Sequence, residues 1–354
     1  MTGRLADQAQ AVWNDVAADV PLRLDALHQD IFAMDDLQDT AEEHLGTAPW
    51  ATDEVAVHRA SKALARLGIA GPGRLESQRD RQRWSVPTER QWDWELICGA
   101  IHAHQTAPIR DDLLRSQVRP GWVHPDIVVG HATTGRTYIK TPRLQGLGKR
   151  EIARYIDMDL LIVDQSRAEP TVLARLSGDT VLTEDLTGDP YWALADDLGI
   201  DRATAKRVFM SIPYGTGADR LAQDLDLTKD EAHAIVKGWR DRYADAAVWC
   251  DDRVAEAATG RVRLYDGTRL RVEHAYQGPA YVGQGTGALL THEWTVAAHD
   301  ALPDGAILAW PIHDALAVEI CDEDVRPEAE TVLLDTLGEL SIPLRGDVER
   351  NEES

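Results

Sequence analysis

The sequence predicts an α+β protein, with helices in the first third and in the middle of the chain and strands on both sides of the middle. Three observations indicate this class. Apolar residues recur at helical spacing through the N-terminal third, strand-like runs occupy residues 118–142, and two later segments have the pattern of hairpins. With 354 residues, the chain is long enough for two or three ordinary domains, or for one large enzyme with subdomains around a cleft.

The N-terminal region is predicted to be mainly helical. Apolar residues recur at helical spacing from Leu5 to about Gly68, and a glycine is a suitable end for a helix. A further helix is predicted from Pro87 to about His104. The linker between these stretches opens with Gly71-Pro72-Gly73 and is rich in arginine, so we expect a flexible basic tip between two helices. Its arginines include Arg79, Arg81 and Arg83.

Strands and a second helical region follow. The runs 126–129 and 136–139 are typical of short strands, residues 159–164 predict a buried strand, and residues 169–176 predict a helix directly after it. Helices are then expected throughout residues 191–258.

Two hairpins are predicted in the last quarter of the chain. The first has strands at 262–265 and 268–272 around Asp266-Gly267, a dipeptide that strongly favours a hairpin turn. A helix is expected from about Gly287 to Leu302. The second hairpin has strands at 306–311 and 315–320, centred on His313-Asp314.

The composition excludes a membrane protein. Hydrophobic residues make up 44% of the chain, yet no apolar run approaches the roughly 20 residues that a membrane span needs. Residues 1–15 do not have the pattern of a secretory signal. The three cysteines, Cys98, Cys250 and Cys321, match neither zinc nor disulfide spacing, so we expect reduced packing residues in a cytoplasmic protein.

The net charge of −23 is unusual for a protein that binds nucleic acid. Basic residues are nevertheless concentrated in four stretches, 74–83, 136–154, 202–207 and 261–271. A cleft can be locally basic while the outer surface is acidic, so the net charge alone does not exclude a nucleic-acid partner.

Two aspartates are candidates for binding metal ions. Asp164 ends a predicted strand, and Asp314 lies in a predicted turn about 150 residues later. Aspartates at the ends of adjacent strands can hold the two divalent cations that nucleotidyl transfer requires. Each residue alone also has a structural interpretation, since Asp164 is a suitable helix N-cap and Asp314 is a suitable turn residue.

A polar stripe is predicted between these aspartates. Arg202, Lys206, Met210 and Tyr214 recur every fourth residue, which would place them on one face of a helix. Two cations, an apolar side chain and an aromatic ring in series suit a nucleoside triphosphate, whose phosphates would meet the cations. The alternative is an amphipathic surface helix.

The order and spacing of these residues resemble the polymerase motifs of family A DNA polymerases, the DNA polymerase I family. The resemblance covers roughly Val123 to Glu349. Residues 157–176 resemble the first catalytic motif, Arg202 through Gly215 the nucleotide-binding helix of the fingers, and residues 312–316 the last catalytic motif. Two further matches resemble segments of the family that lie near primer and template. They are Thr134-Gly135-Arg136 with Leu144-Gln145, and Gln284-Gly285-Thr286.

The resemblance implies a right-hand polymerase fold with an antiparallel palm sheet, helical fingers and a shortened helical thumb. The thumb-like region would be 1–117, the palm 118–188 and 262–354, and the fingers 189–261. The expected catalytic residues are Asp164, Asp314 and Lys206, with both aspartates binding Mg²⁺ in a two-ion site that Mn²⁺ can also fill. The nucleotide is expected to contact Arg202, Lys206, Met210, Tyr214, Glu169, Gln165 and Tyr191. DNA is expected to contact Arg136, Gln145, Gln284, His313, Arg79, Arg81 and Arg83.

Glu169 bears on the choice of sugar. In the family, a glutamate five residues after the first metal-binding aspartate fills the space of a ribose 2′-hydroxyl, so Glu169 implies a preference for deoxynucleotides. Phage-type RNA polymerases share the palm but usually lack this glutamate. The structural alternative is that Glu169 only begins a helix.

Several positions differ from the family pattern. Ala315 replaces a carboxylate beside the second metal aspartate, and Tyr191 replaces a histidine near the phosphates. Met210 replaces a stacking aromatic residue, and Tyr276 and Ala280 replace polar residues that contact DNA. Pro213 lies where a helix would lose a backbone hydrogen bond. These differences favour a lower rate or relaxed fidelity.

The sequence therefore predicts a DNA-directed DNA polymerase that adds dNTPs to a primer on template DNA. An exonuclease domain would need well over about 100 further residues, so we expect no proofreading and a separate exonuclease or clamp subunit as a possible partner. Two alternatives stay open: a template-independent or translesion DNA extender, and a catalytically weak DNA-binding accessory subunit with a polymerase fold.

Overall fold

A computed structural model of the chain describes residues 2–16, 18–49, 54–69, 86–130 and 132–349. The chain forms two compact units. The first unit comprises residues 1–18, 127–140 and 159–354, and the second unit comprises residues 19–126 and 141–158. Both contain helices and antiparallel strands, which confirms the predicted α+β class.

The described helices and strands are numbered in chain order. The helices are α1 Thr2–Val16, α2 Leu24–Leu45, α3 Glu54–Arg66, α4 Gln91–Arg115, α5 Lys149–Tyr155, α6 Ala168–Ser177, α7 Thr180–Asp185, α8 Pro190–Leu198, α9 Arg202–Ser211, α10 Ala218–Leu225, α11 Lys229–Arg242, α12 Ala244–Ala257, α13 Gly278–Ala301 and α14 Arg326–Gly338. The strands are β1 Val20–Pro21, β2 Gln117–Arg119, β3 Trp122–Val123, β4 Ile127–Val128, β5 Tyr138–Ile139, β6 Leu160–Ser166, β7 Arg261–Arg263, β8 Arg269–Arg271, β9 Ala306–Ile312, β10 Ala315–Ile320 and β11 Arg345–Glu349.

The main sheet of the first unit is antiparallel, with strand order β11-β6-β10-β9. Residues of β6, β9 and β10 are mostly apolar and buried, because helices cover the sheet. Trp294 of α13 joins two of these helices, since its indole N–H lies 3.2 Å from the carbonyl oxygen of Leu333 and 3.1 Å from Oγ1 of Thr336 in α14. Helix α1 packs against α13 on the same unit.

The helices α7–α12 share an aromatic core. Phe209, Trp239 and Tyr243 are almost fully buried and meet edge to face, with ring centroids 5.6–6.2 Å apart. Asp185 closes one side of this core, because it accepts hydrogen bonds from both the Arg242 guanidinium and the Tyr243 hydroxyl. Helix starts are fixed by side-chain caps at Asp179, Asp189, Asp201 and Thr228.

The β7–β8 hairpin packs on α13. The buried side chains of Val262 and Leu264 lie with Val282 and Leu289 in one apolar cluster. An added Cβ on Gly285 would approach side-chain atoms of Leu264 and Leu270 to 2.9 Å, so only glycine lets the hairpin come this close.

The second unit has its own core. Its sheet has strand order β1-β3-β2, and α2 packs along α4. Leu64, Ile97 and Ile101 form part of a buried cluster with Trp94. Arg154 pairs with Asp30 at 2.5 Å, which fixes α5 against α2.

Most predicted elements are confirmed, and three expectations need correction. α13 begins at Gly278 rather than near Gly287, and α4 continues to Arg115 rather than ending near His104. Helix α1 belongs to the first compact unit and residues 141–158 to the second, and the limits of thumb, palm and fingers stay a prediction. Cys321 is exposed, so it is not a packing residue. The predicted basic tip with Arg79, Arg81 and Arg83 lies outside the described residues.

No helix in the described ranges is long and apolar enough to cross a membrane.

Candidate active site

The two predicted metal-binding aspartates lie on neighbouring strands of the main sheet. Asp164 is in β6, and Asp314 is in the two-residue turn that joins β9 to β10. The backbone N–H of Gln165 lies 3.3 Å from the carbonyl oxygen of Asp314, so the two segments are in direct contact. His313 has a φ of 55°, the left-handed conformation that a tight hairpin turn needs. The structure therefore brings Asp164 and Asp314 together.

A third aspartate, Asp347, lies opposite Asp164 on the neighbouring strand β11. Asp164 is opposite Ala315 of β10 on one side and opposite Asp347 of β11 on the other. Residues that lie directly opposite in antiparallel strands point to the same face, so Asp347 shares the face of Asp164. Sequence reasoning missed Asp347, because the strand Arg345–Glu349 contains one apolar residue apart from glycine and shows little strand pattern.

The donor atoms here suit a hard divalent cation. Mg²⁺ prefers oxygen ligands and commonly takes one or two protein carboxylates, with water and substrate phosphates completing the shell. Within the described ranges, no group of three or more His, Cys, Asp or Glu side chains has an arrangement that could hold a metal ion. The two carboxylates of Asp164 and Asp314 fit this ligand preference of Mg²⁺.

A small cavity of about 50 Å³ is lined by Asp314 and by Gln165, the residue after Asp164, and we call it the glutamate cavity. It brings together six of the predicted site residues. They are Arg136, Gln165, Glu169, Gln284, His313 and Asp314. Gln165 is 4% exposed and donates from Nε2 to Thr291 at 3.0 Å, while its Oε1 has no hydrogen-bond partner among the described residues.

Glu169 is held by Tyr214. The Tyr214 hydroxyl donates a hydrogen bond to Oε1 of Glu169, and Oε2 of Glu169 is buried without a hydrogen-bond partner in the described part of the chain. Burial raises the pKa of Glu169, the hydrogen bond from Tyr214 opposes this, and the charge of Asp314 adds to the increase. Burial and the neighbouring Glu169 also raise the pKa of Tyr214. Gln284 interacts with the same hydroxyl.

Tyr214 lies in a turn rather than on the predicted helical stripe. α9 ends at Ser211, and the backbone N–H of Gly215 bonds to the carbonyl oxygen of Ile212 at 2.9 Å. Pro213 lacks the N–H that would continue the helix, which explains the early end. Three of the four residues predicted to share a helix, Arg202, Lys206 and Met210, lie on α9, and Tyr214 does not.

The turn also needs glycine. Gly215 has a φ of 81°, and an added Cβ would lie 2.8 Å from the carbonyl oxygen of Tyr276. Tyr276 is therefore immediately beside the turn that carries Tyr214. Met210 and Tyr214 line a narrow apolar cavity of about 30 Å³ with Trp249 and Ala280.

The predicted phosphate-binding residues gather around Tyr191. The Arg202 guanidinium lies 5.5 Å and the Lys206 ammonium 5.6 Å from the centre of the Tyr191 ring. Tyr191 is 5% exposed, and burial raises the pKa of its hydroxyl. Its hydroxyl is 4.0 Å from the sulfur of Met210. Tyr191, Arg202, Lys206 and Met210 are thus one cluster.

Asp189 orients Arg202, and sequence reasoning missed this residue. Nε and Nη2 of Arg202 lie 2.9 and 2.7 Å from the same carboxylate oxygen of Asp189. Partial burial alone would raise the pKa of Asp189, but the hydrogen bonds from Arg202 and from the backbone of Tyr191 and Trp192 lower it. The available signal was the N-cap pattern of an aspartate before Pro190.

Comparison with known proteins identifies the family. The sequence profile of "DNA polymerase family A" matches residues 106–353, which is more than half of the chain. The chain belongs to this family. The thermostable DNA polymerase I of Thermus filiformis is 28% identical over 267 residues, covering 65% of this chain and 32% of that protein. DNA polymerase I of Pseudomonas aeruginosa is 25% identical over 276 residues, covering 66% of this chain and 30% of that protein.

A solved structure shares the fold of this family A chain. The POL domain of Pol1 from M. smegmatis, in complex with a DNA primer-template and dNTP, superposes with a TM-score of 0.76 at 19% identity, covering 98% of this chain and 69% of that chain. The predicted right-hand polymerase fold is therefore confirmed. The chain spans about a third of the length of the curated relatives that it matches.

The predicted DNA contacts of this family A chain are divided between its two units. Arg136, Gln284 and His313 lie in the first unit and border the glutamate cavity. Gln145 lies in the second unit, in the short turn Leu144–Gly146. The assignment of individual residues to primer, template and nucleotide stays a prediction.

Proposed function

We propose that this chain is a DNA-directed DNA polymerase that adds deoxynucleotides to a primer 3′-hydroxyl. One observation carries the proposal: Asp314, Glu169 and Gln284, which were predicted to serve metal, sugar and template, border one cavity. Membership of family A supports the same activity.

The reaction replaces a phosphoanhydride bond of the dNTP with a phosphodiester bond to the primer. The primer 3′-oxygen attacks the α-phosphorus of the incoming dNTP and forms a P–O bond, while the bond from that phosphorus to the oxygen bridging to the β-phosphate breaks. Pyrophosphate leaves with the bridging oxygen and its electron pair, and the proton of the 3′-hydroxyl passes to solvent. Magnesium, when bound by Asp164 and Asp314, supplies charge stabilisation at the attacking and leaving oxygens.

The side chains of α9 serve the triphosphate. Arg202 is held in place by Asp189, and Lys206 is exposed on the same helix beside Tyr191. Both cations can neutralise charge that moves onto the leaving phosphates, and Lys206 can donate a proton to the departing pyrophosphate. Much of the rate would then come from positioning, as in phosphoryl transfer in general.

The sugar is selected at Glu169. Because the side chain is half-buried and held by Tyr214, a ribose 2′-hydroxyl in this space would have to displace a hydrogen-bonded carboxylate. Displacement of a buried polar group from its partner is costly, which favours deoxynucleotides.

The β7–β8 hairpin supports DNA as the partner. Arg261 lies opposite Arg271, and Arg263 lies opposite Arg269, with all four side chains exposed. Directly opposed like charges destabilise a hairpin, and these arginines form no ion pair among the described residues. A polyanion would relieve the repulsion. The inner face of the hairpin packs on α13 at Gly285, the residue after the predicted template contact Gln284.

The proposal is tested by extension of a labelled primer on a DNA template with Mg²⁺, with dNTPs and NTPs supplied separately. We expect templated dNTP incorporation by the wild type, its loss in Asp164→Asn, and NTP incorporation by Glu169→Ala. Asp241→Asn, which changes an exposed aspartate on α11, is the matched control and should behave like the wild type. Absence of incorporation by the folded wild type, together with retained DNA binding, would instead favour the accessory-subunit alternative.

A second candidate function is translesion extension, and one observation favours it. Tyr276, beside Tyr214, is 52% exposed and stacks on His274, with ring centroids 5.6 Å apart and planes 8° from parallel. An exposed aromatic stack can support any base, or a gap in the template, without hydrogen-bond recognition. Extension past an abasic site by the wild type that is reduced in Tyr276→Ala, with normal extension on intact template, would support this candidate. Extension of single-stranded primers would indicate template-independent synthesis.

A further inference from the structure

A cavity of about 450 Å³ lies in the first unit between α12, α13 and the β7–β8 hairpin. We call it the hairpin cavity. Its lining combines an apolar part with aromatic and charged side chains. The apolar part consists of Leu176, Leu264 and Val282, and the last two are almost fully buried. None of the residues predicted from the sequence to bind metal, nucleotide or DNA lines this cavity.

Two aromatic side chains border the hairpin cavity. Trp249 of α12 is partly buried, and Tyr265, in the turn of the hairpin, is 38% exposed. The Tyr265 hydroxyl interacts with the side chain of Ser341, so Tyr265 offers its ring rather than its hydroxyl to a ligand. Aromatic rings beside an apolar surface are suitable for stacking on a planar heterocycle, and every nucleobase has such a face.

The charges around the cavity leave one positive charge unbalanced. Nη1 of Arg253 lies 2.9 Å from Oε2 of Glu256, so these two charges balance each other. Arg263, one of the four hairpin arginines, is exposed and forms no ion pair in the described part of the chain. A single guanidinium suits a single phosphate group, whereas a triphosphate needs several cations. The charge balance therefore favours a ligand with one phosphate.

The pair Arg253–Glu256 retains hydrogen-bonding capacity for the edge of a base. Nε of Arg253 and Oε2 of Glu256 are covered and have no hydrogen-bond partner among the described residues, which is rare for polar atoms in folded proteins. The two side chains are 28% and 29% exposed, so they can turn toward the cavity. Nucleobase edges present hydrogen-bond donors next to acceptors, and these match a carboxylate beside a guanidinium.

We propose that the hairpin cavity binds a nucleoside monophosphate, with the base on the rings of Trp249 and Tyr265 and the phosphate at Arg263. The volume lies in the range of about 300–1,000 Å³ that is usual for small-molecule sites. The inference does not rest on the proposed function, because the cavity shares no residue with the glutamate cavity. Trp249 also lines the narrow apolar cavity beside Met210 and Tyr214, so the bound nucleotide would share one wall with it.

Calorimetry with each of the common deoxynucleoside 5′-monophosphates, in EDTA and without DNA, tests the proposal. We expect binding of at least one of them, with Kd higher by about tenfold in Arg263→Gln and in Tyr265→Leu, as loss of a charge-assisted hydrogen bond or of a stacked ring implies. Tyr265→Phe keeps the ring, so its Kd should stay within about twofold of the wild type. Arg261→Gln is the matched control, because Arg261 is an exposed arginine of the same strand that does not line the cavity, and its Kd should also stay within about twofold.

Truncated ligands separate the base from the phosphate. Deoxyribose 5-phosphate and the deoxynucleosides should each bind at least about tenfold more weakly than the monophosphate. Absence of binding by every monophosphate overturns the proposal, and equal binding of deoxyribose 5-phosphate shows a general anion site instead. An equal increase of Kd in Arg261→Gln and Arg263→Gln assigns the effect to the hairpin as a whole. Tighter binding of a short oligodeoxythymidine that depends on both arginines identifies a surface for single-stranded DNA and also overturns the proposal.

Discussion

Replacement of Tyr214 with phenylalanine tests the contact that would control sugar choice. The variant keeps the aromatic ring and removes the hydroxyl that donates to Glu169. The other carboxylate oxygen of Glu169 has no hydrogen-bond partner among the described residues. The variant would therefore remove the one hydrogen bond that this carboxylate accepts within those residues. A hydrogen bond to a charged group contributes about 1.5–3 kcal/mol, whereas a neutral one contributes about 0.5–1.5 kcal/mol. We therefore expect the free energy of unfolding to fall by roughly 1.5–3 kcal/mol where Glu169 is ionised.

The sign of the pH dependence follows from the direction of the pKa shift. Burial places the pKa of Glu169 above its value in the unfolded chain, so the folded chain binds more protons in the interval between the two values. The contribution of Glu169 to the free energy of unfolding therefore falls as the pH rises through that interval. Tyr214→Phe removes the hydrogen bond that opposes the increase, so it raises the folded pKa further and widens the interval. The variant should lose more stability at pH 8 than at pH 5.

Urea unfolding at both pH values measures this effect. Tyr281→Phe is the matched control, because its hydroxyl on α13 has no hydrogen-bond partner in the described part of the chain. In primer extension, release of Glu169 should raise the ratio of kcat/KM for NTPs to that for dNTPs about tenfold, equivalent to about 1.4 kcal/mol. If Tyr214→Phe matches Tyr281→Phe in unfolding at pH 8 and leaves the sugar ratio unchanged, the hydrogen bond does not position Glu169.

Three further predictions follow from neighbouring contacts. Asp189→Asn should raise KM for dNTP about tenfold by releasing Arg202. Because the folded pKa of Asp189 is lowered, the wild type gains stability above the unfolded pKa and loses it as the pH falls through the folded pKa, and the variant should lack this gain. An unchanged dependence of the unfolding free energy on acid pH would contradict this prediction. Changing the four hairpin arginines to glutamine should reduce the steepness of log K for DNA binding against log salt concentration by about 0.7–0.9 per lost phosphate contact. The charge-matched control changes Arg115, Arg220, Lys229 and Lys237 to glutamine. Gly215→Ala should unfold at lower urea and extend poorly, since its Cβ would meet the Tyr276 carbonyl oxygen at 2.8 Å; wild-type stability would refute the clash.

Local signals predicted the elements that position the two aspartates expected to bind metal. The apolar run before Asp164, the helix after it and the turn at His313-Asp314 are each specified within a few residues, and the structure contains all three. The start of α13 was missed, because glycine and proline are usually evidence against helix. Gly278 is required there by a distant segment, since an added Cβ would lie 2.3 Å from the carbonyl oxygen of Arg253.

The residues that were missed depend on long-range contacts. Asp347 joins the row of Asp164 only when the last strand pairs with β6, more than 180 residues after it in the sequence. Asp189 gains its role through the position of Arg202 on the next helix. A pattern within one segment cannot report either partner, whereas the helical stripe and the strand-end aspartates are properties of single segments.

The distribution of charge answers the objection raised by a net charge of −23. Many arginines form ion pairs on the surface, such as Arg240 with Asp251, so they do not offer a free positive charge to DNA. The exposed arginines of the β7–β8 hairpin have no such partners in the described ranges. Since an acidic exterior repels phosphates and unpaired arginines attract them, the same chain can disfavour DNA over most of its surface and still attract it at this hairpin.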